Sequence, residues 1–533
     1  MELFQNPTPA IDPIIKRTMR LDAEQTDETN ILTQHSMKRT MILIALAWLQ
    51  FIPISTSAQT VQASEVDYYP DEIGDNAIIR ADPSLGGSLI YYTDAAGRSY
   101  FLYRLPNNSG TTYKFHWPNH SNINNEKYII NDMEFIKEDC FLCGSRIKRN
   151  VMGGFDTAGL VGRVNLHNLI LTPSSIDFDL CPITSTKEFT QMDTYDTSRV
   201  RISLVGLGHL SQTTKIPCAA FVEWYYQWKY NIVKLSATDE TLTDIAFSKD
   251  GNKVVSVSRL KNQPYQFVMR CDFASNLFVF TPPPYSSPYF YGFRNVFNTS
   301  GLTLPSSSGS NPTWHDEDVV IRIVGHNDPK YFTVAYECVD EGNVCESDRM
   351  VAMYKIDVTY SPTAHTMSVA DQQVVHGYLE EPETFVDMRY WFNTQDRFVL
   401  LHRFSNSQIN LSVLSFPLWG IYGQMPAFLA DQELFQSVDY QYTLSGNCIV
   451  MGGKRMNDNK IIYSSQNTDY PETSCHMTIP HAFTEQLIGM PQFSNYHYIV
   501  NMHDRDTITN SLIPINLSNI PTQKNSCATF HIQ

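Results

Sequence analysis

The sequence predicts an all-β fold, specifically a β-propeller of six or seven blades. Beyond residue 58, apolar residues alternate or run in short blocks that are separated by Gly, Asn, Asp, Pro and Ser, as is typical of short strands. One short pattern recurs along the chain at intervals that suit blades of about 40–50 residues. Apolar residues make up 42% of the 533 residues, which is enough to build a core. Two β-sandwich domains are the structural alternative.

The recurring pattern is an aspartate, an apolar residue, any residue and an aromatic, followed by a polar turn and an apolar strand. The clearest copies begin at Asp132, Asp244, Asp387 and Asp439, and looser copies begin near residues 201, 321 and 487. A small sheet cannot bury both faces alone, whereas closure of a ring gives it two neighbours. We interpret the aspartates as groups that cap turns or tie one blade to the next, in preference to a ring of cation ligands.

The N-terminal region predicts an exported protein. A basic start at residues 37–40 is followed by an apolar run at 41–49 and by small residues at 55–58, which together resemble a secretory signal. The apolar run is too short to span a bilayer, so no transmembrane span is expected after signal removal. The predicted organisation is a disordered gene-model extension (1–36), a signal peptide (37–58), a linker (59–84) and a propeller (85–530) with an irregular insertion at about 278–315.

Two segments of the predicted propeller have distinctive sequences. Residues 88–104 predict a hairpin, which is a candidate for the strand that closes the ring. Residues 278–297 are rich in proline and aromatic residues, a composition inconsistent with a regular central strand. We therefore expect this stretch to be an irregular surface insertion.

The ten cysteines favour structural roles. Cys140 and Cys143 form a CxxC pair, but on a predicted strand they point to opposite faces, so a redox or zinc site is not expected. Cys338 and Cys345 flank a short polar turn and are the best disulfide candidates in an exported chain. No local motif for a nucleophile, a phosphate loop or a metal is present, so we name no catalytic residue and expect no cofactor and no metal.

Charge and aromatic content indicate what the protein binds. The formal net charge of −16 argues against nucleic acid as a partner. Clustered aromatic residues offer platforms for sugars or anchors for a protein, although packing between blades is the alternative role. The candidate ligand-binding residues are Trp224, Tyr226, Trp228, Tyr285, Tyr289 and Tyr291.

Two resemblances bear on the class of protein. Met152-Gly153-Gly154 and the Gly pair at 452–453 resemble the strand endings of kelch repeats. The signal ending at 57–59 and the segments DMEFIKEDCFLCG and GLVGRVNL are similar to those of exported β-propeller-like proteins of gut Bacteroidetes. This resemblance implies the periplasm or cell surface of a Gram-negative bacterium and no assigned activity.

Two functions are compatible with these observations. The first is a non-catalytic propeller that binds a glycan or an envelope protein. The alternative is a polysaccharide-active hydrolase or lyase with its site at the mouth of the central channel. The alternative requires carboxylates or a His–Tyr pair to converge at that mouth.

Overall fold

The computed structural model describes residues 59–62, 65–74, 77–105, 112–116, 125–166, 176–209, 214–235, 240–260, 266–280, 289–298, 321–340, 348–361, 366–379, 384–391, 397–403, 409–415, 420–427, 433–443, 446–455, 457–467, 483–486, 496–509, 513–515, 518–520, 523–526 and 529–532. The predicted extension and signal peptide lie outside the described residues. The prediction of an all-β protein is confirmed, because strands dominate and a single short helix, α1 (Ala274–Leu277), occurs in the described part.

Most strands form four-stranded antiparallel sheets whose members are consecutive in the chain. Two strands precede the first sheet, β1 (Gln59–Gln62) and β2 (Glu65–Glu72). The first sheet contains β3 (Ala77–Ala81), β4 (Ser88–Thr93), β5 (Ser99–Arg104) and β6 (Thr112–His116). The second contains β7 (Glu126–Ile136), β8 (Asp139–Arg149), β9 (Phe155–Asn165) and β10 (Ile176–Ile183). The third contains β11 (Thr186–Asp196), β12 (Val200–His209), β13 (Lys215–Trp224) and β14 (Gln227–Lys234).

The same arrangement continues through the second half of the chain. The fourth sheet contains β15 (Glu240–Phe247), β16 (Lys253–Leu260), β17 (Gln266–Phe273) and β18 (Tyr289–Asn298). The fifth contains β19 (Ile321–Gly325), β20 (Tyr331–Asp340), β21 (Asp348–Ser361) and β22 (Thr366–Leu379). The sixth contains β23 (Thr384–Trp391), β24 (Arg397–Arg403), β25 (Ile409–Ser415) and β26 (Gly420–Ala427).

The seventh sheet combines three consecutive strands from late in the chain with one strand from near the N-terminus. It contains β27 (Glu433–Thr443), β28 (Gly446–Arg455) and β29 (Lys460–Asn467), and β2 is its fourth strand. In the register of β2 and β29, Tyr68 lies opposite Ile462. The expected linker at 59–84 is therefore wrong, because its residues form β1, β2 and β3. The hairpin predicted at 88–104 is confirmed as β4 and β5, but the strand that completes the last sheet is β2.

The first strands of the seven sheets contact one another in cyclic order. β3 contacts β7, β7 contacts β11, and the series continues through β15, β19, β23 and β27 back to β3. Aromatic side chains fill the space between neighbouring sheets, as where Phe101 and Phe115 pack on Phe178 with ring centroids 5.6 and 6.0 Å apart. The first and second sheets therefore cover facing sides of each other.

Strands near the C-terminus pair with the outer edges of earlier sheets. The pairs are β30 (Phe483–Gln486) with β22, β31 (Tyr496–Thr509) with both β14 and β18, β32 (Ile513–Ile515) with β10, β33 (Ser518–Ile520) with β6, and β34 (Gln523–Ser526) with β2. These strands pair with backbone N–H and C=O groups at the sheet edges that would otherwise have no strand partner. β35 (Thr529–Ile532) and β1 form a two-stranded sheet of their own. The expected repeat copy near residue 487 falls outside the described residues.

Two further expectations need correction. Part of the stretch expected to be irregular, Tyr289–Asn298, is the regular strand β18, because every proline of that stretch lies before residue 289. The repeat copy placed near 201 begins the second strand of its sheet, β12, and the first strand is β11. The part of the expected insertion from 299 to 315 lies outside the described residues.

Within the described part of the chain, no helix has the length and apolar character needed to cross a membrane.

Candidate functional site

A cavity with many ionisable side chains in its wall lies where the first strands of all seven sheets approach one another. Its volume is about 610 Å³. The ionisable side chains that line it are Glu134, Lys137, Asp193, Asp196, Asp244, Lys249, Arg322, His326, Asp387, Arg389 and Asp439, together with the phenols of Tyr195, Tyr390 and Tyr440. The repeat places equivalent residues from each sheet at this point, so the cavity follows directly from the repeated sequence.

The recurring aspartates tie neighbouring sheets together, which confirms their structural interpretation. Asp244 accepts the N–H of Ile245 on its own strand and the N–H of Ile323 on the next first strand, both at 2.8 Å. The same double acceptance is made by Asp132 (Met133 at 2.8 Å, Met192 at 3.1 Å), by Asp193 (Thr194 at 2.8 Å, Phe247 at 2.6 Å) and by Asp439 (Tyr440 and Ala81, both at 2.8 Å).

Local backbone irregularity accompanies these aspartates. A register shift immediately precedes Asp132, Asp244 and Asp387 in their pairing with the second strands. Such a bulge re-aims the side chain that follows it. Asp193 does not match the repeated pattern, because Thr194 occupies its apolar position and Asp196 its aromatic position.

Arginines cross-link the carboxylates around the cavity. The buried Arg80 pairs with Asp132 and donates from Nε to the carbonyl oxygen of Met133 at 2.6 Å. Arg389 contacts three carboxylates, with Nη2 3.4 Å from Asp132, Nη1 3.5 Å from Glu134 and Nε 3.8 Å from Asp387. Neither arginine could be identified from sequence, because no local motif places it beside these carboxylates.

Glu134 differs from the aspartates around it. In the part of the chain that the structure describes, its carboxylate accepts no backbone N–H, and its side chain is 31% exposed. Desolvation raises the pKa of Glu134 well above its usual range, and the negative charge of Asp439 raises it further, while Arg80 opposes the shift. Glu134 is therefore a carboxyl group that a molecule in the cavity can engage without breaking a backbone hydrogen bond between sheets.

Desolvation also dominates the other carboxylates. It raises the pKa of Asp193 to about 6 and that of Asp244 to about 7, although backbone N–H donors, and in the case of Asp244 also Arg322, favour the charged form. The pKa values of Asp387 and Asp439 are raised for the same reason. Several cavity carboxyl groups therefore gain protons under mildly acidic conditions.

A histidine and a tyrosine also meet at the cavity. The ring of His326 lies 5.8 Å from that of Tyr390, and its Nε2 is 2.6 Å from the Thr333 hydroxyl. The Tyr390 hydroxyl accepts the N–H of Asn327 at 3.0 Å. Converging carboxylates and a His–Tyr pair, either of which the enzyme alternative requires, therefore both occur at the cavity wall.

The candidate aromatic residues divide into buried and exposed members. Trp224 and Trp228 lie opposite each other on β13 and β14, and both donate from Nε1 to Asp179, at 3.1 and 2.9 Å. Trp228 is fully buried against Phe141, so its proposed ligand-binding role is wrong and the alternative, packing between sheets, holds. Trp224 is half-buried, with the Arg163 guanidinium 4.3 Å from its ring.

Tyr226 is exposed, as a ligand platform requires. It lies in the turn between β13 and β14 with φ of 58°, and 75% of its surface is accessible. Tyr289 and Tyr291 belong to β18, whose side chains are not described, and Tyr285 lies outside the described residues.

The cysteine predictions have separate outcomes. Cys140 and Cys143 are free thiols on β8 that pack into two different core clusters, which confirms that they point to opposite faces. Burial raises the pKa of both thiols well above the usual range. The side chain of Cys338 and all of Cys345 lie outside the described residues, so their disulfide stays a prediction.

These features define the class of protein as an all-β chain of antiparallel sheets around a charged cavity. Among the described residues, no cluster of His, Cys, Asp and Glu is arranged to hold a metal ion. No protein-family model matches the chain, and no curated protein matches it.

Proposed function

We propose that the protein is an exported seven-bladed β-propeller that binds a glycan in its central cavity without transforming it. The propeller is supported by seven four-stranded sheets whose first strands contact one another cyclically. It is further supported by β2, which completes the last sheet from the N-terminal side, as expected of a ring held closed by its own chain. Export to the cell envelope is supported by the signal-like sequence of residues 37–58.

The observation that carries the proposal is the composition of the cavity wall. A volume of about 610 Å³ is in the range of small-molecule sites and suits a short stretch of sugar units. Carboxylates and guanidinium groups hydrogen-bond sugar hydroxyls, while phenol rings such as those of Tyr195 and Tyr440 pack on sugar faces. An envelope protein instead needs about 800 Å² of complementary surface on each partner, so a concave cavity favours the glycan.

Binding without chemistry is favoured because three of the six carboxylates that line the cavity, and Asp132 beside them, already hold the sheets together. Asp132, Asp193, Asp244 and Asp439 each accept two backbone N–H groups in the manner described above. A general base that must move a proton in each turnover is poorly served by such fixed bonds.

One observation favours the second candidate, a polysaccharide-active hydrolase or lyase. Glu134 faces the cavity with a raised pKa, the property of a general acid, and shares Arg389 with Asp132 and Asp387. In that case Glu134 donates a proton to the leaving oxygen of a glycosidic bond, and a neighbouring carboxylate acts as its partner.

A single substitution with a matched control separates the two candidates. Glu134→Gln keeps the shape of the side chain and removes its charge. Glu126→Gln makes the same change near the opposite end of the same strand, away from the cavity. We would screen the purified chain against a panel of glycans, measure affinity by calorimetry and look for cleavage products by mass spectrometry.

The proposal expects binding without products, weakened at least about tenfold by Glu134→Gln, since hydrogen bonds to charged groups contribute about 1.5–3 kcal/mol. Glu126→Gln should bind like the unmodified chain. Products that disappear in Glu134→Gln while the glycan still binds would establish the enzyme instead. Equal affinity in all three chains, without cleavage products from any of them, would contradict both candidates.

A further inference from the structure

An exposed apolar turn connects β8 and β9 in the second sheet. Val151 and Met152 at its tip are 103% and 93% accessible, and Phe155 at the start of β9 is 63% accessible. Large apolar side chains exposed together in this way mark a contact with something less polar than water.

The turn holds these side chains outward by its own hydrogen bonds. Asn150 Oδ1 accepts the N–H groups of Met152 at 3.1 Å and Gly154 at 2.9 Å, and the Asn150 N–H donates to the Gly154 carbonyl oxygen at 2.8 Å. Gly153 has φ of 83°, a conformation that favours glycine. The tip is therefore pre-organised and does not have to be ordered on binding.

Positive charge surrounds the apolar tip in a chain that is acidic overall. Arg146, Lys148 and Arg149 place three cations within four residues of β8, and the last two are exposed. Nearby acids balance them only partly. Glu126 lies 3.9 Å from Arg146, and Asp156 accepts a hydrogen bond from Asn150 at 3.1 Å.

The adjoining edge of the third sheet adds more positive charge. His209 of β12 lies 3.3 Å from the carbonyl oxygen of Thr157, two residues beyond Phe155. Lys215 lies opposite His209 in the pairing of β12 and β13. The side chain of Lys215 also contacts that of Lys187 and lowers the pKa of Lys187. These basic side chains lie on the sheet whose first strand, β11, contacts β9.

We propose that this apolar tip and its surrounding cations form a docking surface for an anionic lipid bilayer. Val151 and Met152 enter the boundary between headgroups and acyl chains, and Lys148 and Arg149 contact the headgroup phosphates. An apolar element flanked by Lys and Arg is the arrangement that binds at such an interface, and two weak signals together give stable anchoring. The side chains of the tip are almost fully exposed, which favours insertion into a bilayer over seating against a peptide partner.

Docking at this tip leaves the cavity accessible. The cavity residue Lys137 lies in the turn between β7 and β8, which is at the other end of β8 from the 150–154 turn. Its Nζ lies 2.7 Å from Asp196, another residue of the cavity wall. The surface is independent of whatever occupies the cavity.

Vesicle sedimentation tests the proposal. The chain isolated from an exporting host is mixed with vesicles of phosphatidylglycerol and phosphatidylcholine, and separately with phosphatidylcholine alone. One variant, Val151→Ser with Met152→Ser, removes the apolar tip, and a second, Lys148→Gln with Arg149→Gln, removes two cations. The control, Tyr225→Ser with Tyr226→Ser, alters another exposed hairpin turn. Urea unfolding confirms that each variant is folded.

We expect binding to the anionic vesicles that falls about 25-fold in the cation variant, since each cation near the surface contributes about fivefold. The apolar variant should lose about tenfold or more, and the tyrosine control should bind like the unmodified chain. Salt at about 1 M should weaken binding, because it shortens the screening length to about 3 Å. No sedimentation with anionic vesicles, equal binding to both vesicle types, or full binding by the apolar variant would overturn the proposal.

Discussion

The raised pKa of Asp244 makes the stability of the protein depend on pH in an unusual direction. In the folded chain this carboxyl group has a pKa of about 7, because burial disfavours its charge. In the unfolded chain it has the ordinary value near 3.8. Between these values the folded state retains a proton that the unfolded state has released. The stabilisation is therefore complete at low pH and is lost as the pH rises towards 7.

The size of the effect follows from the two pKa values. Between pH 5 and pH 8, the unfolded carboxyl is ionised throughout while the folded group loses its proton near pH 7. At 1.36 kcal/mol per pKa unit, this contributes a loss of about 3 kcal/mol in the free energy of unfolding. Asp193, with a pKa of about 6, adds to the loss in the same direction.

Urea unfolding at pH 5 and pH 8 measures this contribution when Asp244→Asn is compared with the unmodified chain. Asparagine stays neutral at both pH values and retains an oxygen that accepts from Ile323 or Ile245. The variant should therefore lose about 3 kcal/mol less than the unmodified chain between the two conditions. Asp156→Asn, at an exposed position near the start of β9, is the control and should follow the unmodified chain. An unchanged pH dependence in Asp244→Asn would refute the reasoning.

Two further predictions concern packing in the second sheet. Gly144→Ala should lower the free energy of unfolding by more than about 2 kcal/mol, because the added methyl group overlaps the Ile129 carbonyl oxygen, whereas Gly154→Ala in the exposed turn should cost far less. A similar urea midpoint for both variants would contradict this. Cys140 and Cys143 should resist iodoacetamide at pH 8 in the folded chain and react after unfolding, since both thiols are buried with raised pKa values. Rapid labelling of the folded chain, measured by mass spectrometry, would contradict the structural role.

Much of the repeated architecture can be predicted from sequence because it is encoded locally. The strand around Asp244 has alternating apolar residues, and its hairpin turn at 248–252 contains Asp and Gly, which favour tight turns. The aspartate itself marks the bulge and the tie to the next sheet. Each of these signals lies within a few residues of the feature it specifies.

The pairing of β2 could not be predicted from local sequence. Its segment contains Pro70 and several charged residues, and it resembles a linker when read alone. Its partner strand includes Tyr463, which lies far along the chain, so neither segment identifies the other. Long-range pairing is decided by the closure of the whole assembly.

The cavity shows the same division between local and long-range information. The pattern identified Asp132 and Asp387, but not Arg389 as the group that contacts both and Glu134 as well. Trp228 was wrongly assigned to a ligand-binding site, because a cluster of aromatic residues in the sequence does not show which of them fall in the turn. The register of β13 and β14 buries Trp228 and leaves Tyr226 exposed.

A crystal structure of the chain soaked with the tightest-binding oligosaccharide of the panel tests the central claim most directly. Binding in the central cavity predicts sugar hydroxyls within hydrogen-bonding distance of Glu134 and Arg389, with a sugar face against a cavity tyrosine. An oligosaccharide bound at the Tyr225–Tyr226 turn, with the cavity unchanged, would contradict the claim.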